Sequence, residues 1–263
     1  MKKIAIIGAG NMGGAIARGL SATDAFERIA VSDINKAALQ KLQDYSDKIE
    51  AAGSNISAVK DADVVLLAVK PWLVESVVAE IKSELDYGNL ILISIAATVK
   101  FEQLAAWLDK DGHLPVLFRL IPNTAIDVSQ SVNTVCKFNG NEQQTAYVLD
   151  LFGKLGKTFL VSEQQIGAFM ALSSCGIAYA FRYIRAAMEG GVEMGIYPEV
   201  AKQVVMQTLK GSVALLEKNN SHPEVEIDKV TTPGGITIKG LNEMEAEGFT
   251  NSVIKGLKAS LVD

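Results

Sequence analysis

The first half of the chain alternates short apolar runs with segments that repeat apolar residues every three or four positions. Lys3–Ile7 reads as a strand, Met12–Leu20 as the helix after it, Arg28–Asp33 as a second strand and Ala37–Leu42 as a second helix. A short stretch at Ile49–Ala52 fits a third strand. Within Asp63–Lys70, every residue from Val64 to Val69 is apolar, which suits a strand covered on both faces of a parallel sheet. Pro71 then opens a helix in its usual first-turn place. Leu90–Ala97 is another apolar strand, followed by a helix over Phe101–Leu108. Val116–Leu120, Val132–Phe138 and Lys157–Val161 read as the last strands. A helix begins at Asn141, where Gln144 completes a capping-box pattern. Strand–helix alternation of this kind predicts an α/β fold, a Rossmann-type doubly wound sheet.

From Ser162 onward the period changes to helical and no strand signal returns. Helices are expected over Glu163–Glu193, Pro198–Lys218, Thr237–Ala246 and Asn251–Leu261. The division expected is a nucleotide-binding domain over 1–161 and an all-α domain over 162–263. Gly167, Ala171, Ser174 and Ala178 are spaced to share one helix face, a ridge of small residues that lets another helix approach. That helix belongs either to the same chain or to a second subunit; the uncharged stretch around the ridge favours self-association. Gln164 to Phe181 carries no charge, but its glutamines and serines mark a buried helix and not a membrane span. Gly8-Ala9-Gly10 interrupts the apolar run after Met1-Lys2-Lys3 too early for a secretory leader, so a cytoplasmic protein is expected.

Composition narrows the choice of function. The 263 residues are 49% hydrophobic and 21% charged, an ordinary globular balance for one large or two modest domains. A formal charge of −5 weighs against a nucleic-acid partner. Cys136 and Cys175 form no CxxC pair, so no disulfide framework is expected. His113 and His222 are the only histidines, which excludes a three-histidine metal centre; no metal is expected.

Two stretches carry chemistry. Gly8-Ala9-Gly10-Asn11-Met12-Gly13 follows a strand and opens a helix, the context that gives G-x-G-x-x-G its meaning. Gly8 permits the tight turn, Gly10 lets the pyrophosphate approach the backbone, and Gly13 lets helix pack on strand. The helix start offers N–H groups and partial positive charge to phosphate. Asp33 lies 20 positions after Gly13, where a ribose-binding carboxylate is expected. Its charge favours NADH, whereas Asn35 and Lys36 beside it suit a 2′-phosphate, so the residues leave NADPH and NADH both open. Ala68-Val69-Lys70-Pro71 ends a buried strand at the sheet edge where ligands gather, and Asn123-Thr124 ends another. Lys70 reaches a ligand or is simply solvated; Asn123 bonds a ligand or simply closes a turn.

The second stretch is Val230-Thr231-Thr232-Pro233-Gly234-Gly235-Ile236-Thr237. Glycine N–H groups at a helix start form a nest for an anion such as a carboxylate, and the hydroxyls of Thr232 and Thr237 add donors. An N-cap loop without a ligand is the plainer alternative.

Taken together, these motifs resemble the pyrroline-5-carboxylate reductase family. The matching residues are Gly8–Gly13 with Asn11 and Met12, Ala68–Pro71, Pro122-Asn123-Thr124, Glu189-Gly190-Gly191-Val192 with Met194-Gly195, and the specific Thr231–Thr237 signature. The resemblance implies reduction of 1-pyrroline-5-carboxylate to L-proline by NAD(P)H, usually NADPH with NADH possible. It implies pairing through interlocked C-terminal helices, often into rings of dimers, with the active site between the nucleotide cleft and the helical dimer. Asn55 falls at the family's adenosine contact and Thr237 beside the ring nitrogen. Thr232 and the N–H groups of Gly234, Gly235, Ile236 and Thr237 fall at the carboxylate site.

Three places in the chain depart from the family pattern. Ser173-Ser174-Cys175-Gly176-Ile177-Ala178-Tyr179 replaces Ser-Gly-Ser-Gly-Pro-Ala-Tyr, Ala125 replaces a proline, and Lys229 stands where asparagine is frequent. An imine that is already protonated needs placement more than a strong acid, so Thr237 is read chiefly as an orienting donor. The rival readings are another imine or β-hydroxyacid oxidoreductase and a non-enzymatic dinucleotide sensor. Against the β-hydroxyacid class, Glu163–Arg185 contains no lysine.

Overall fold

The computed structural model describes residues 3–261. Met1-Lys2, part of the stretch read for a leader, lies outside the described residues, as do Val262 and Asp263. The strands are β1 (Lys3–Ile7), β2 (Arg28–Ser32), β3 (Ile49–Ala51), β4 (Val64–Leu67), β5 (Ile91–Ser94), β6 (Val116–Ile121), β7 (Ser131–Lys137) and β8 (Gly156–Leu160). They form one sheet in the order β3-β2-β1-β4-β5-β6-β7-β8. Every pairing is parallel except β6 with β7. The order reverses at β1, between β2 and β4, and such a switch point opens a crevice at the strands' C-terminal ends.

Helices α1 (Asn11–Ser21), α2 (Lys36–Gln43), α3 (Asn55–Val59), α4 (Val74–Ile81), α5 (Phe101–Leu108) and α6 (Glu142–Gly153) cover the sheet. Alternation along each strand divides the core in two. Ile4, Ile6, Val64 and Leu66 pack with α1 and α6, while Ala5, Ile7, Val65 and Leu67 pack with α3, α4 and α5. All of these side chains are buried, which explains the unbroken apolar runs in the sequence.

The single long helix expected over Glu163–Glu193 is broken. It begins as a 3₁₀ turn at Glu163–Gln165, continues as α7 (Ile166–Met170), widens into a π-turn at Ala171–Cys175 and resumes as α8 (Gly176–Glu193). The Ser173 hydroxyl bonds back to the Phe169 carbonyl at 2.7 Å, and Asn123 Nδ2 reaches the Ser173 carbonyl at 3.3 Å. These bonds draw carbonyls away from the i→i−4 ladder. The extra residue shifts the helix phase, so Gly167 and Ala171 no longer continue into Ser174 and Ala178 as one stripe. Ala171 is buried, and the Ser174 hydroxyl bonds the Pro122 carbonyl at 3.1 Å.

Two compact units divide between Ser174 and Cys175. The first unit extends past Ser162 because α7 packs on β7 and buries Ile166 in the sheet's core. The second unit consists of α8, α9 (Pro198–Asn219), α10 (Pro223–Val230), α11 (Ile236–Ala246) and α12 (Phe249–Ala259). Within it α8 packs on α9, α9 on α10 and α11 on α12. Gly191 approaches Ala201 so closely that a Cβ there would stand 3.1 Å from the alanine methyl. Two helices, α3 and α10, lie outside the segments with an apolar helical period. Each has a local signal: Ser54 and Ser57 form a capping box, and Pro223 follows His222, whose Nδ1 accepts from the Glu224 N–H at 3.3 Å.

Among the described residues of α8–α12, only Gly191 and Ala201 are buried. Phe181, Tyr197, Val213 and Ile254 are exposed. An apolar surface this extensive is costly in water and marks an association face. No helix of the described residues is long and apolar enough to cross a membrane.

Candidate active site

The switch-point crevice is built on two glycines, Gly8 and Gly13, that leave no room for a side chain. Gly8 has φ +110°, and a Cβ there would sit 2.5 Å from the Ala68 carbonyl oxygen. A Cβ on Gly13 would meet the Gly8 carbonyl oxygen at 2.0 Å. Around Gly10 there is open space: nothing lies within 4 Å of its notional Cβ. Gly10 is the N-cap of α1 and provides no side-chain cap, so the first-turn N–H groups stay available to a phosphate. Asn11 and Met12 occupy that turn. The space at Gly10 and the uncapped helix start fit the pyrophosphate of a dinucleotide.

Asp33 is engaged by two backbone N–H groups. Its carboxylate accepts from the Ala9 N–H at 2.6 Å and from the Asn35 N–H at 2.7 Å. It therefore ties the glycine turn to the β2–α2 connection. Asn35 caps α2 by accepting from the N–H groups of Ala37 and Ala38 at 3.1 and 3.2 Å. With its oxygen engaged, the Asn35 side chain keeps its NH₂ as a donor. Asn55 sits in a polar chain, accepting from the Ser32 hydroxyl at 2.8 Å and donating to Glu80 at 2.7 Å. Ser32 and Glu80 carry no pattern in the sequence that would have singled them out.

Ala68 and Val69 are half-buried at the end of β4, beside Gly8 and Gly13. Lys70 is exposed and precedes the 3₁₀ turn Pro71–Leu73, in which Pro71 fills the first position. Asn123 is 7% exposed and hydrogen-bonded through both its backbone and its side chain. Its N–H donates to the Ser131 hydroxyl at 3.0 Å, its Oδ1 accepts from the Ala125 N–H at 3.1 Å, and its Nδ2 holds the π-turn. Of its two readings, the geometry supports turn closure.

In the second unit, the chain leaves α10 through Thr231, whose hydroxyl bonds the Ile227 carbonyl at 3.0 Å. Gly234 has φ +71°, and the Gly235 N–H bonds the Thr232 carbonyl at 2.9 Å. A Cβ on Gly235 would meet Thr232 Oγ1 at 2.6 Å. Gly235 caps α11 with no side-chain bond, leaving the N–H groups of Ile236 and Thr237 at an open helix start. Thr232, Gly234 and Thr237 are exposed, and Ile236 is 87% exposed.

Behind this turn, Glu226 of α10 accepts from Lys229 Nζ at 2.8 Å, from the Ser221 hydroxyl and from Asn219 Nδ2 at 3.1 Å. These bonds, the one from Lys229 first, hold its carboxyl down at about 2. Lys229 is thus paired within α10. Among the described residues no group of three or more histidine, cysteine or acidic side chains is placed to hold a metal.

The comparisons with known proteins bear on both units. The family model for pyrroline-5-carboxylate reductase dimerisation matches residues 163–262. The model described as NADP oxidoreductase, coenzyme F420-dependent, matches residues 3–98. Pyrroline-5-carboxylate reductase 2 of Dictyostelium discoideum is 34% identical, over 98% of this chain and 91% of that protein. The chain belongs to the pyrroline-5-carboxylate reductase family. Other members agree with that membership. The Arabidopsis thaliana enzyme is 34% identical, over 98% of this chain and 92% of its own length. This chain spans about half, 48%, of pyrroline-5-carboxylate reductase 1 of Dictyostelium, to which it is 37% identical. Among solved structures, Plasmodium falciparum pyrroline carboxylate reductase with NADP bound superposes with a TM-score of 0.87 at 27% identity, covering 98% and 95% of the two chains. A Mycobacterium tuberculosis 3-hydroxyisobutyrate dehydrogenase, at 15% identity and a TM-score of 0.54, shares the fold alone. The helical unit is therefore the self-association module of the reductase family, which accounts for its exposed apolar surface.

Proposed function

We propose that this chain reduces the ring imine of 1-pyrroline-5-carboxylate to L-proline, with NADPH as the hydride donor. The observation that carries the reading is the pairing, in one chain of this family, of an open glycine turn with a threonine-flanked anion nest. NADPH, when bound, supplies a hydride from its nicotinamide ring. Gly8, Gly10, Gly13 and the first turn of α1 would hold its pyrophosphate. Asn35, Lys36 and Asn55 would hold its adenosine half, and Ala68–Pro71 would line the crevice beside it. An NADP-bound relative and the NADP-type match over residues 3–98 support NADPH over NADH.

The substrate's carboxylate would sit on the N–H groups of Gly234 to Thr237, with Thr232 beside it. Anchoring the anion fixes the ring, and fixing the ring sets the distance over which hydride must travel. Good placement of the reacting atoms lowers a barrier by up to several kcal/mol. The Thr237 hydroxyl, with no hydrogen-bond partner among the described residues, would orient the ring nitrogen. A neutral hydroxyl is a weak acid, so the proton on nitrogen arrives chiefly with the substrate. On this reading residues 1–161 bind the nucleotide, and residues 162–263 bind substrate and self-associate. The chain would act in the cytoplasm as a dimer or a ring of dimers.

The test is incubation with 1-pyrroline-5-carboxylate and either cofactor, with proline measured directly. Proline formed faster with NADPH supports the reading; no proline with either cofactor rejects it. Light scattering separates dimer from ring.

A further inference from the structure

Arg119, near the end of β6, is 2% exposed. A buried guanidinium is expensive to desolvate and persists only where its partners are good. One terminal nitrogen donates to Glu163 Oε1 and the other donates to the Ala97 carbonyl oxygen at 2.6 Å. The same Glu163 oxygen accepts from the Phe101 N–H at 2.8 Å, at the first residue of α5. The Phe101 ring centre lies 5.9 Å from the guanidinium carbon. Arg119 Nε is buried without a hydrogen-bond partner, so the site tolerates an unmet donor to keep the other two nitrogens where they are.

These contacts converge on one segment. Ala97 and Phe101 bracket the connection between β5 and α5, at the C-terminal edge of the sheet. In the strand order, β4 and β5 lie on the opposite side of β1 from β2. Asp33, Asn35 and Asn55 are all on the β2 side. A dinucleotide with its pyrophosphate at Gly8–Gly13 and its adenosine toward β2 lays its nicotinamide half toward β4 and β5. Val99 and Phe101 of this segment are buried in the core, with the Phe101 ring against Phe138, and Arg119 and Glu163 supply the hydrogen bonds that tie the segment to β6.

We propose that Arg119, held by Glu163, is a positioning residue for the nicotinamide half of the cofactor. It acts through the Ala97 carbonyl and the start of α5, which it fixes against the sheet. This rests on the reading that the glycine turn takes NADPH.

Calorimetry with two probes tests it. NADP⁺ carries both halves of the cofactor, whereas adenosine 2′,5′-bisphosphate carries only the adenosine half. For Arg119→Gln the expected loss is about tenfold in NADP⁺ affinity, and about threefold for Glu163→Gln. Bisphosphate affinity should stay within about twofold of wild type in both variants. The rate constant kcat should fall alongside NADP⁺ affinity. Equal losses for both probes, or no loss of NADP⁺ affinity, overturn the proposal. Should Arg119→Gln fail to fold, Glu163→Gln decides by the same comparison, since its side chain is 30% exposed. A wild-type protein that binds neither probe overturns the NADPH reading itself, an outcome distinct from equal losses in the variants.

Discussion

Asn123 donates its side-chain amide to the carbonyl of Ser173, 3.3 Å away and 50 residues along the chain. The bond joins the turn after β6 to the π-turn that interrupts the long helix. It explains why a helix with no proline at its break still widens there. Asn123→Ala removes this bond and the Ala125 cap together, leaving a buried carbonyl unmet. The expected cost is about 1–3 kcal/mol, read as a lower midpoint in denaturant at unchanged slope. A midpoint equal to wild type would show that the π-turn stands without Asn123.

Thr237→Ala should lower kcat/KM for 1-pyrroline-5-carboxylate by about 10–100-fold, equivalent to roughly 1.4–2.7 kcal/mol of transition-state interaction. NADP⁺ affinity should be unchanged, because Thr237 is assigned to the ring nitrogen and not to the nucleotide. Wild-type kcat/KM in this variant removes the assigned role.

Asp33→Asn separates the two jobs of that side chain. The amide oxygen can keep one of the two N–H bonds now made by the carboxylate, while the charge is lost. Removing a like charge near a 2′-phosphate should raise the NADPH-to-NADH ratio of kcat/KM by about 5–10-fold. An unchanged ratio means that Asp33 serves only to hold the glycine turn.

Gly8→Ala should abolish binding of both cofactors, since the new methyl would overlap the Ala68 carbonyl at 2.5 Å and φ is +110°. Self-association through α8–α12 should persist, as light scattering would report. Retained NADP⁺ binding would show that the turn rearranges at little cost.

Glu226 makes a solvent-screened contribution to the acid stability of the helical unit. Its carboxyl is depressed from 4.5 to about 2 by the bonds from Lys229, Ser221 and Asn219. A group depressed in the folded state stabilises fully above its unfolded value, and that contribution is lost as pH falls from 4.5 toward 2. Thermal stability of Glu226→Gln should therefore fall less than that of wild type over this acid range. Parallel pH profiles would remove Glu226 from the account of acid stability.

The sheet was legible from sequence because strands buried on both faces must be apolar throughout, as Val64 to Val69 are. The glycine turn was legible because its backbone admits no side chain at Gly8 or Gly13. The π-turn was not, since it depends on Asn123 and Pro122, distant in sequence. Arg119 was equally hidden: one arginine in an apolar strand carries no sign of the glutamate 44 residues later that pairs with it. The short helices α3 and α10 lacked a full apolar period and were marked only by their caps. The engagement of Asp33 and Asn123 by neighbouring backbone is likewise a property of the folded turns.

The most direct measurement is label transfer. With NADPH deuterated at the transferred position of nicotinamide C4 and 1-pyrroline-5-carboxylate as acceptor, mass spectrometry should find proline carrying one deuterium on the carbon that was double-bonded to nitrogen. Proline without label, or no proline with either nicotinamide cofactor, would contradict direct hydride delivery to a ring held by the Thr231–Thr237 turn.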